Sequence, residues 1–208
     1  VNIGRDERVR LAGPNGAVLH TDTYTLQTQA AAVVWSTAGS ATPLLDFRVC
    51  RLLGRGNGVS FAGDAKAYMN QSVFDELIAN TNASDLFGRR TAGLATIGSL
   101  KDINTVLLEE NLPQIVIFDG GYKTGQAANT FTPFLAADKV VIVGKRPGGT
   151  PIMEYLMTRN ATNPSAAPGA YTRVVQDVNE VPTRVEVHDG HNGGPAIYFP
   201  SAVVILSV

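Results

Sequence analysis

Histidine and aspartate residues that could support chemistry are concentrated in one short segment near the carboxyl terminus. His188, Asp189 and His191 lie close together there, and His20 and Asp22 form a second, distant pair. Imidazole and carboxylate groups bind zinc and act as general acids and bases, so this set allows a metal site or an α+β hydrolase. The hydrolase hypothesis requires His188, Asp189 and His191 to converge in a cleft.

A surface turn explains the same segment without chemistry. Asp189-Gly190 is a hairpin signal between predicted strands at Val185–Val187 and Ala196–Phe199. Histidines beside such a turn would point into solvent, and a catalytic metal site normally takes three protein ligands. We therefore predict no metal ligand, no catalytic residue and no cofactor, and the hydrolase remains the alternative.

The potential nucleophiles also have structural explanations. The sequence lacks the Gly-x-Ser-x-Gly motif that positions the serine of many hydrolases. Ser99 is predicted to cap a helix, and Ser60 merely has a glycine nearby. Cys50 is the only cysteine and falls in an apolar helix, where burial raises the pKa of a thiol and makes it unreactive.

Glycine-rich and basic segments are the remaining candidates for binding. The run Gly54–Gly58 resembles a phosphate-binding loop, but it follows a predicted helix, whereas such a loop must precede one. For the Arg89-Arg90 and Lys145-Arg146 pairs, contact with a partner and plain solvation are equally open. We predict subunit contacts at five basic residues: Arg89, Arg90, Lys123, Lys145 and Arg146.

Composition limits the classes of function. The chain has 208 residues, 44% hydrophobic and 17% charged, with a net charge of −1. This length can bury a substantial core. The charge gives no basic excess to neutralise phosphates, which disfavours a direct nucleic-acid binder. No apolar run is long enough to span a bilayer, and the sequence opens with Val1, so we expect further residues upstream.

Caps and periodicity predict a helical first half. Val1–Gly16 is predicted to be a connector or arm, and Ala17–Gln29 an extended segment or exposed strand. A helix is predicted from the Thr42 cap to Leu53, followed by a strand at Lys66–Met69 and a helix at Ser72–Ala79. Asn80–Gly98 is predicted to be a polar loop. A further helix is predicted to begin at Ser99, with Asp102 in a capping box, and to end before Pro113.

The second half is rich in predicted strands. They are Gln114–Phe118, Tyr122–Lys123, Phe131–Leu135, Lys139–Val143, Tyr171–Val178, Arg184–His188, Ala196–Phe199 and Val203–Val208. Helices and strands do not alternate regularly, which favours an α+β fold with a largely antiparallel sheet flanked by helices.

Several segments, in this order and spacing, resemble the major capsid protein E family of tailed bacteriophages. They are Trp35-Ser36 followed by Ala41–Phe47, then Lys66–Asn70 with Val73–Asn82, then Ile117–Tyr122, Thr132–Leu135 and Lys139–Gly144. The resemblance covers roughly Tyr24 to Val208.

This resemblance implies a Hong Kong 97-like capsid fold. Residues 24–208 would form the axial domain with strands of the peripheral domain, and residues 1–23 a connector or remnant of the N-terminal region. The implied function is a structural shell subunit, not an enzyme, that assembles into hexamers and pentamers around DNA. Scaffold, portal and decoration proteins are the other implied partners, DNA contact is non-specific, no membrane is involved, and the implied location is the virion, or the host cytoplasm during assembly. An encapsulin-like compartment protein is the alternative within the same fold.

Overall fold

The computed structural model describes residues 8–12, 18–90, 99–123, 130–157, 167–177, 184–191 and 193–208. The chain divides into two compact units: Val1–Ile152 with Tyr198–Val208 is unit 1, and Met153–Ile197 is unit 2. The described α-helices are α1 (Pro43–Leu53), α2 (Gln71–Ala79), α3 (Thr81–Arg90) and α4 (Leu100–Glu109), and Pro147–Gly149 and Pro200–Ala202 form short 3-10 helices. The described strands are β1 (Arg8–Ala12), β2 (Val18–Thr23), β3 (Gln27–Ala30), β4 (Lys66–Met69), β5 (Gln114–Ile117), β6 (Gly121–Lys123), β7 (Phe131–Pro133), β8 (Lys139–Val143), β9 (Met153–Met157), β10 (Ala170–Asp177), β11 (Arg184–His191), β12 (Gly193–Ile197) and β13 (Val203–Ser207).

A five-stranded sheet with the order β3-β13-β8-β4-β5 is the centre of unit 1. Strand β13 pairs in parallel with β3, as β4 does with β5, whereas β8 is antiparallel to both of its neighbours. The pairs β1/β2, β6/β7, β9/β12 and β10/β11 are antiparallel. The described helices and mostly antiparallel pairings confirm the predicted α+β class.

Alternation of side chains divides the apolar residues of the sheet between two cores. Met69 and Ile142 project to one side and belong to the larger core, to which all four helices contribute. Val141 and Ile205 project to the other side and pack in a smaller core with Leu26. The helices therefore serve one face of the sheet, as expected for α+β architecture.

Helix α1 has the predicted bounds, although its ends are not formed by the usual caps. The side chain of Thr42 makes no capping hydrogen bond, and Gly54 has an ordinary helical φ of −71°. A Cβ atom on Gly54 would lie only 2.4 Å from the carbonyl oxygen of Val59. Glycine is required here because the next segment passes close to the helix end, and not because of a left-handed conformation.

Helix α3 occupies much of the segment for which a polar loop was predicted, so that prediction is wrong over Thr81–Arg90. The Oδ1 atom of Asn80 accepts hydrogen bonds from the backbone N–H groups of Asn82 (3.0 Å) and Ala83 (3.2 Å). Ala83 and Phe87, one helical turn apart, are buried in the larger core. The cap and this burial outweigh the polar composition of the segment; residues 91–98 lie outside the described part.

Helix α4 confirms the predicted capping box and ends with a second motif. The backbone N–H and the hydroxyl of Ser99 both donate to Oδ2 of Asp102, at 2.9 and 3.0 Å. At the other end, Asn111 has a left-handed φ of 57°, and the N–H of Leu112 donates to the carbonyl of Leu107 at 2.8 Å. This is the Schellman arrangement, and it ends the helix at Glu109 and directs the chain into β5.

The predicted turn at Asp189-Gly190 is wrong. Both residues lie inside β11, where Asp189 faces Thr172 and Gly190 faces Tyr171 of β10. An Asp-Gly pair is a local turn signal, and an unbroken ladder of cross-strand pairs outweighs it.

Three further assignments differ from the predicted pattern. Strand β12 does not pair with β11; it pairs with β9, for which no strand was predicted. Residues 8–12 of the predicted connector form β1, which pairs with β2.

Candidate functional site: the basic loop, the histidine segment and exposed apolar side chains

The loop that carries Lys145 and Arg146 follows β8 and is fixed by its backbone. Lys145 and Ser60 exchange two backbone hydrogen bonds of 2.8 Å each, and the N–H of Gly144 donates to the carbonyl of Ala202, also at 2.8 Å. A Cβ atom on Gly144 would lie 2.5 Å from Cγ1 of Val59. These backbone hydrogen bonds therefore hold the start of the loop that carries Lys145 and Arg146.

The two basic side chains of this loop make different contacts. Lys145 Nζ lies 3.2 Å from Asp64 Oδ2, and both side chains are mostly exposed. An ion pair of this kind contributes at most about 1 kcal/mol to stability. The guanidinium carbon of Arg146 lies 3.7 Å from the ring centroid of Phe199, a cation–π contact. Lys145 and Arg146 are thus each held at the surface by a contact within the chain.

The other predicted contact residues, Lys123, Arg89 and Arg90, lie at the ends of described segments. Lys123 is exposed at the end of β6 and precedes residues 124–129, which lie outside the described part. Arg89 and Arg90 form the last positions of α3, and their side chains are outside it as well. A subunit contact at these residues stays a prediction.

The histidine segment does not form a cleft among its described side chains. His188 lies opposite Arg173 and Asp189 opposite Thr172, so these two successive side chains point to opposite faces of the β10/β11 ribbon. His188 is 55% exposed, and its Nε2 lies 3.1 Å from Oε2 of Glu186. The side chains of His191 and His20 are outside the described part. Among the described residues there is no group of three potential metal ligands.

Cys50 is fully buried in the larger core, as predicted. Burial, and secondarily the nearby carboxylate of Asp46, raise the pKa of its thiol to about 12. A thiol with this pKa is protonated at neutral pH and is a poor nucleophile.

A shallow surface depression of about 450 Å³ lies along α4. Its lining residues are Leu100, Lys101, Asn104, Thr105, Leu108 and Gln114. Lys101 is the one titratable group in that lining, so the depression offers no acid–base pair.

Exposed aromatic residues are a feature that the sequence analysis missed. The ring centroid of Phe134 lies 6.5 Å from that of Phe118 and 5.7 Å from that of Tyr122. All three side chains are more than one-third exposed. They come from separate segments around the Asp119-Gly120-Gly121 turn, so their spacing in the sequence gave little signal.

Unit 2 has its own exposed apolar face. Val174 faces Val187 across the β10/β11 ladder, and Val185 projects on the same side, two residues away from Val187. Their exposed fractions are 63%, 60% and 56% respectively. Exposed apolar groups of this kind commonly mark protein–protein contact surfaces.

No helix within the described residues is long and apolar enough to cross a membrane.

Comparison with solved structures finds likeness to phage-related proteins. A protein from Escherichia coli CFT073, assigned as the capsid protein of a prophage, matches with a TM-score of 0.61 and 13% identity over 97% of this chain and 59% of its own. A phage-related protein from Bordetella bronchiseptica RB50 matches with a TM-score of 0.53 and 12% identity over 87% of this chain and 56% of its own. No protein-family model and no curated protein sequence matches the chain.

These matches establish the fold. The chain shares the α+β fold of these two proteins, which confirms the predicted fold class. The chain spans less than two-thirds of the length of either of these two proteins.

Proposed function

We propose that this chain is a structural subunit of a phage or prophage capsid, which assembles with copies of itself into a shell around DNA. The observation that supports the proposal most is the shared fold with a prophage capsid protein over nearly the whole chain. We assign the chain to the major capsid protein E family because segments between Trp35 and Gly144 resemble that family in their order and spacing.

The surface is consistent with this role. Shell subunits need contact areas on several sides, since each copy meets several neighbours. Exposed apolar side chains are present in both units, around Phe134 in unit 1 and along Val174 and Val187 in unit 2. The described side chains bring together no convergent acid–base or metal-binding set, and we propose no catalytic role.

The finer features of the proposal follow from the family. Residues 24–208 correspond to the axial domain with strands of the peripheral domain, and residues 1–23 to a connector or remnant of the N-terminal region. The subunits assemble as hexamers and pentamers, with scaffold, portal and decoration proteins as further partners. Assembly takes place in the bacterial cytoplasm and ends in the virion, where any contact with DNA is non-specific. The net charge of −1 provides no basic excess that would hold the packaged DNA tightly.

Sedimentation velocity and negative-stain electron microscopy test the proposal. We expect rings of capsomer size or larger particles from the full product of the gene that encodes this chain. The charge-reversed variant Lys145→Glu with Arg146→Glu should assemble less, because a subunit contact at this loop would then become repulsive.

The control for this experiment is Lys101→Glu, an exposed charge reversal on α4 that is outside the predicted contacts. It should assemble like the unmodified protein. Monomers at every concentration of the full gene product would contradict the capsid proposal, whereas normal assembly of the double variant would contradict only the contact at Lys145 and Arg146.

A further inference from the structure

Strand β5 combines an edge position with a sequence that favours strand association. It is the last strand on one side of the five-stranded sheet. Its residues Gln114–Ile117, extended by Phe118, contain no charge, no proline and no glycine, and three of them are β-branched. Uncharged segments with high β-propensity at a sheet edge are prone to pair with the same segment of another molecule.

The outer edge of β5 is defined by its hydrogen bonds to β4. The N–H groups of Gln114 and Phe118 donate to the carbonyls of Ala65 and Met69, on the β4 side. In a parallel pair, alternate residues bond to the same neighbour, so the backbone groups of Ile115 and Ile117 point to the opposite, outer edge. A strand added to the sheet would bind at these two residues.

The side chain of Asn104 occupies one of these positions. Its Oδ1 accepts from the N–H of Ile115 at 2.7 Å, and its Nδ2 donates to the carbonyl of Ile115 at 3.0 Å. A residue on an antiparallel strand makes this same reciprocal pair of bonds with the residue it faces. The amide of Asn104 thus takes the place of the N–H and C=O groups of a facing residue on a partner strand.

We propose that Asn104 is an edge-blocking residue, which prevents β5 from pairing with β5 of a second copy of the chain. Asn104 projects from α4, so its two hydrogen bonds also hold that helix beside the edge. Removal of the amide leaves both backbone groups of Ile115 without these partners and loosens α4 from the strand. The proposal does not depend on the capsid function, because it concerns pairing between two copies of β5 and not the assembly of a shell.

The variant Asn104→Ala tests the proposal by hydrogen exchange and sedimentation velocity on the full chain. In its unassociated form we expect the amide of Ile115 to exchange about tenfold faster than in the unmodified protein, because one hydrogen bond of ordinary net strength is lost. With rising concentration the variant should form additional associated species in which the amides of Ile115 and Ile117 become protected.

Two further variants make the test specific. Thr105→Ala removes a hydroxyl that bonds to the carbonyl of Lys101 within the same helix, and it should behave like the unmodified protein. Asn104→Asp retains an acceptor for the N–H of Ile115 but has no donor for its carbonyl, so it should associate less than Asn104→Ala. This variant also serves if Asn104→Ala does not fold.

The proposal is overturned if faster exchange at Ile115 occurs without additional association. It is equally overturned if the variants associate while the amides of Ile115 and Ile117 stay unprotected, because another surface is then responsible. The amide readout is specific for β5, so assembly or non-assembly of the unmodified protein into shells does not change either result.

Discussion

Buried polar side chains in unit 1 form hydrogen bonds that join separate segments of the chain. The carboxylate of Asp46, only 4% exposed, accepts from the indole Nε1 of Trp35 at 2.9 Å and from the N–H of Ala32 at 3.3 Å. These bonds fasten the segment after β3 to α1. A buried carboxylate needs such donors, because burial without them is costly. The role of Asp46 is therefore to position α1 against the sheet.

The reactivity of Cys50 is a prediction at the scale of a single residue. Its pKa is raised from 9.0 to about 12, so at pH 8 the thiolate fraction falls about a thousandfold relative to an unperturbed thiol. We expect iodoacetamide to modify the folded protein at least that much more slowly than the protein unfolded in guanidinium. Mass spectrometry of timed samples measures both rates.

The pH dependence of this reaction provides the control. Because the pKa in the folded chain is raised, the rate in the folded protein should continue to rise between pH 9 and pH 12, while that of the unfolded protein levels off above pH 9. A folded protein whose rate levels off near pH 9 would show that Cys50 reacts through an exposed conformation.

At the scale of elements, Asn80 joins two helices to a loop. Its Nδ2 donates to the carbonyls of Ala38 and Ala41, both at 2.9 Å, while its Oδ1 caps α3. The side chain is fully buried. All of its hydrogen-bonding groups are used, so one residue fixes the end of α2, the start of α3 and the loop before α1.

The substitution Asn80→Ala should lower the free energy of unfolding by about 3 kcal/mol. The estimate combines the loss of a helix cap, about 1 kcal/mol, with the loss of two hydrogen bonds to Ala38 and Ala41, about 1 kcal/mol each. The N–H of Thr81 and Nδ2 of Asn82 still donate to these two carbonyls. Chemical denaturation followed by circular dichroism measures the change.

The companion variant Asn80→Asp separates the two contributions. Aspartate retains the cap but cannot donate to Ala38 and Ala41. It should still destabilise the protein, because a carboxylate is then buried beside two carbonyls. As a surface control, Gln71→Ala removes an exposed bond to Asp75 and should change stability by less than about 0.5 kcal/mol. A loss at Asn80→Ala no larger than this control would refute the joining role.

Elements were predictable from the sequence where local signals agreed with tertiary packing. Helix α1, with Pro43 at its start, and β8, which is apolar after Lys139, are examples. Helix α3 was missed because its signal is only one cap, Asn80, and one apolar pair amid polar residues. The ladder through Asp189 and Gly190 was missed because it depends on pairing with a distant strand.

The candidate site was predictable to a similar extent. The position of Lys145 and Arg146 in a loop after β8 follows from the sequence. Their partners do not: Asp64 and Phe199 are far away in sequence, and the backbone bridge to Ser60 is a tertiary contact. Likewise, the edge-blocking role of Asn104 is visible only once α4 and β5 are adjacent.

At the scale of the whole molecule, the two units differ in how their strands are covered. In unit 1, β8 and β13 each pair on both sides and are buried in the two cores. In unit 2, β10 and β11 pair only with each other among the described strands, and valines on one face are mostly exposed. A two-stranded ribbon is only marginally stable in water, so unit 2 should open more readily than the central sheet.

Hydrogen exchange followed by mass spectrometry tests this difference. In unassembled protein, peptides covering β10 and β11 should exchange at least about a hundredfold faster than those covering β8 and β13, because amides in a ribbon open without disruption of a core. In assembled particles the ribbon should gain protection while β8 and β13 change little, since a neighbouring subunit that covers Val174, Val185 and Val187 would remove their apolar surface from water. Peptides covering α4 provide an internal reference within unit 1. Equal protection of the ribbon and the central sheet in the monomer would refute the difference in stability, and an unprotected ribbon in particles would show that assembly uses other surfaces.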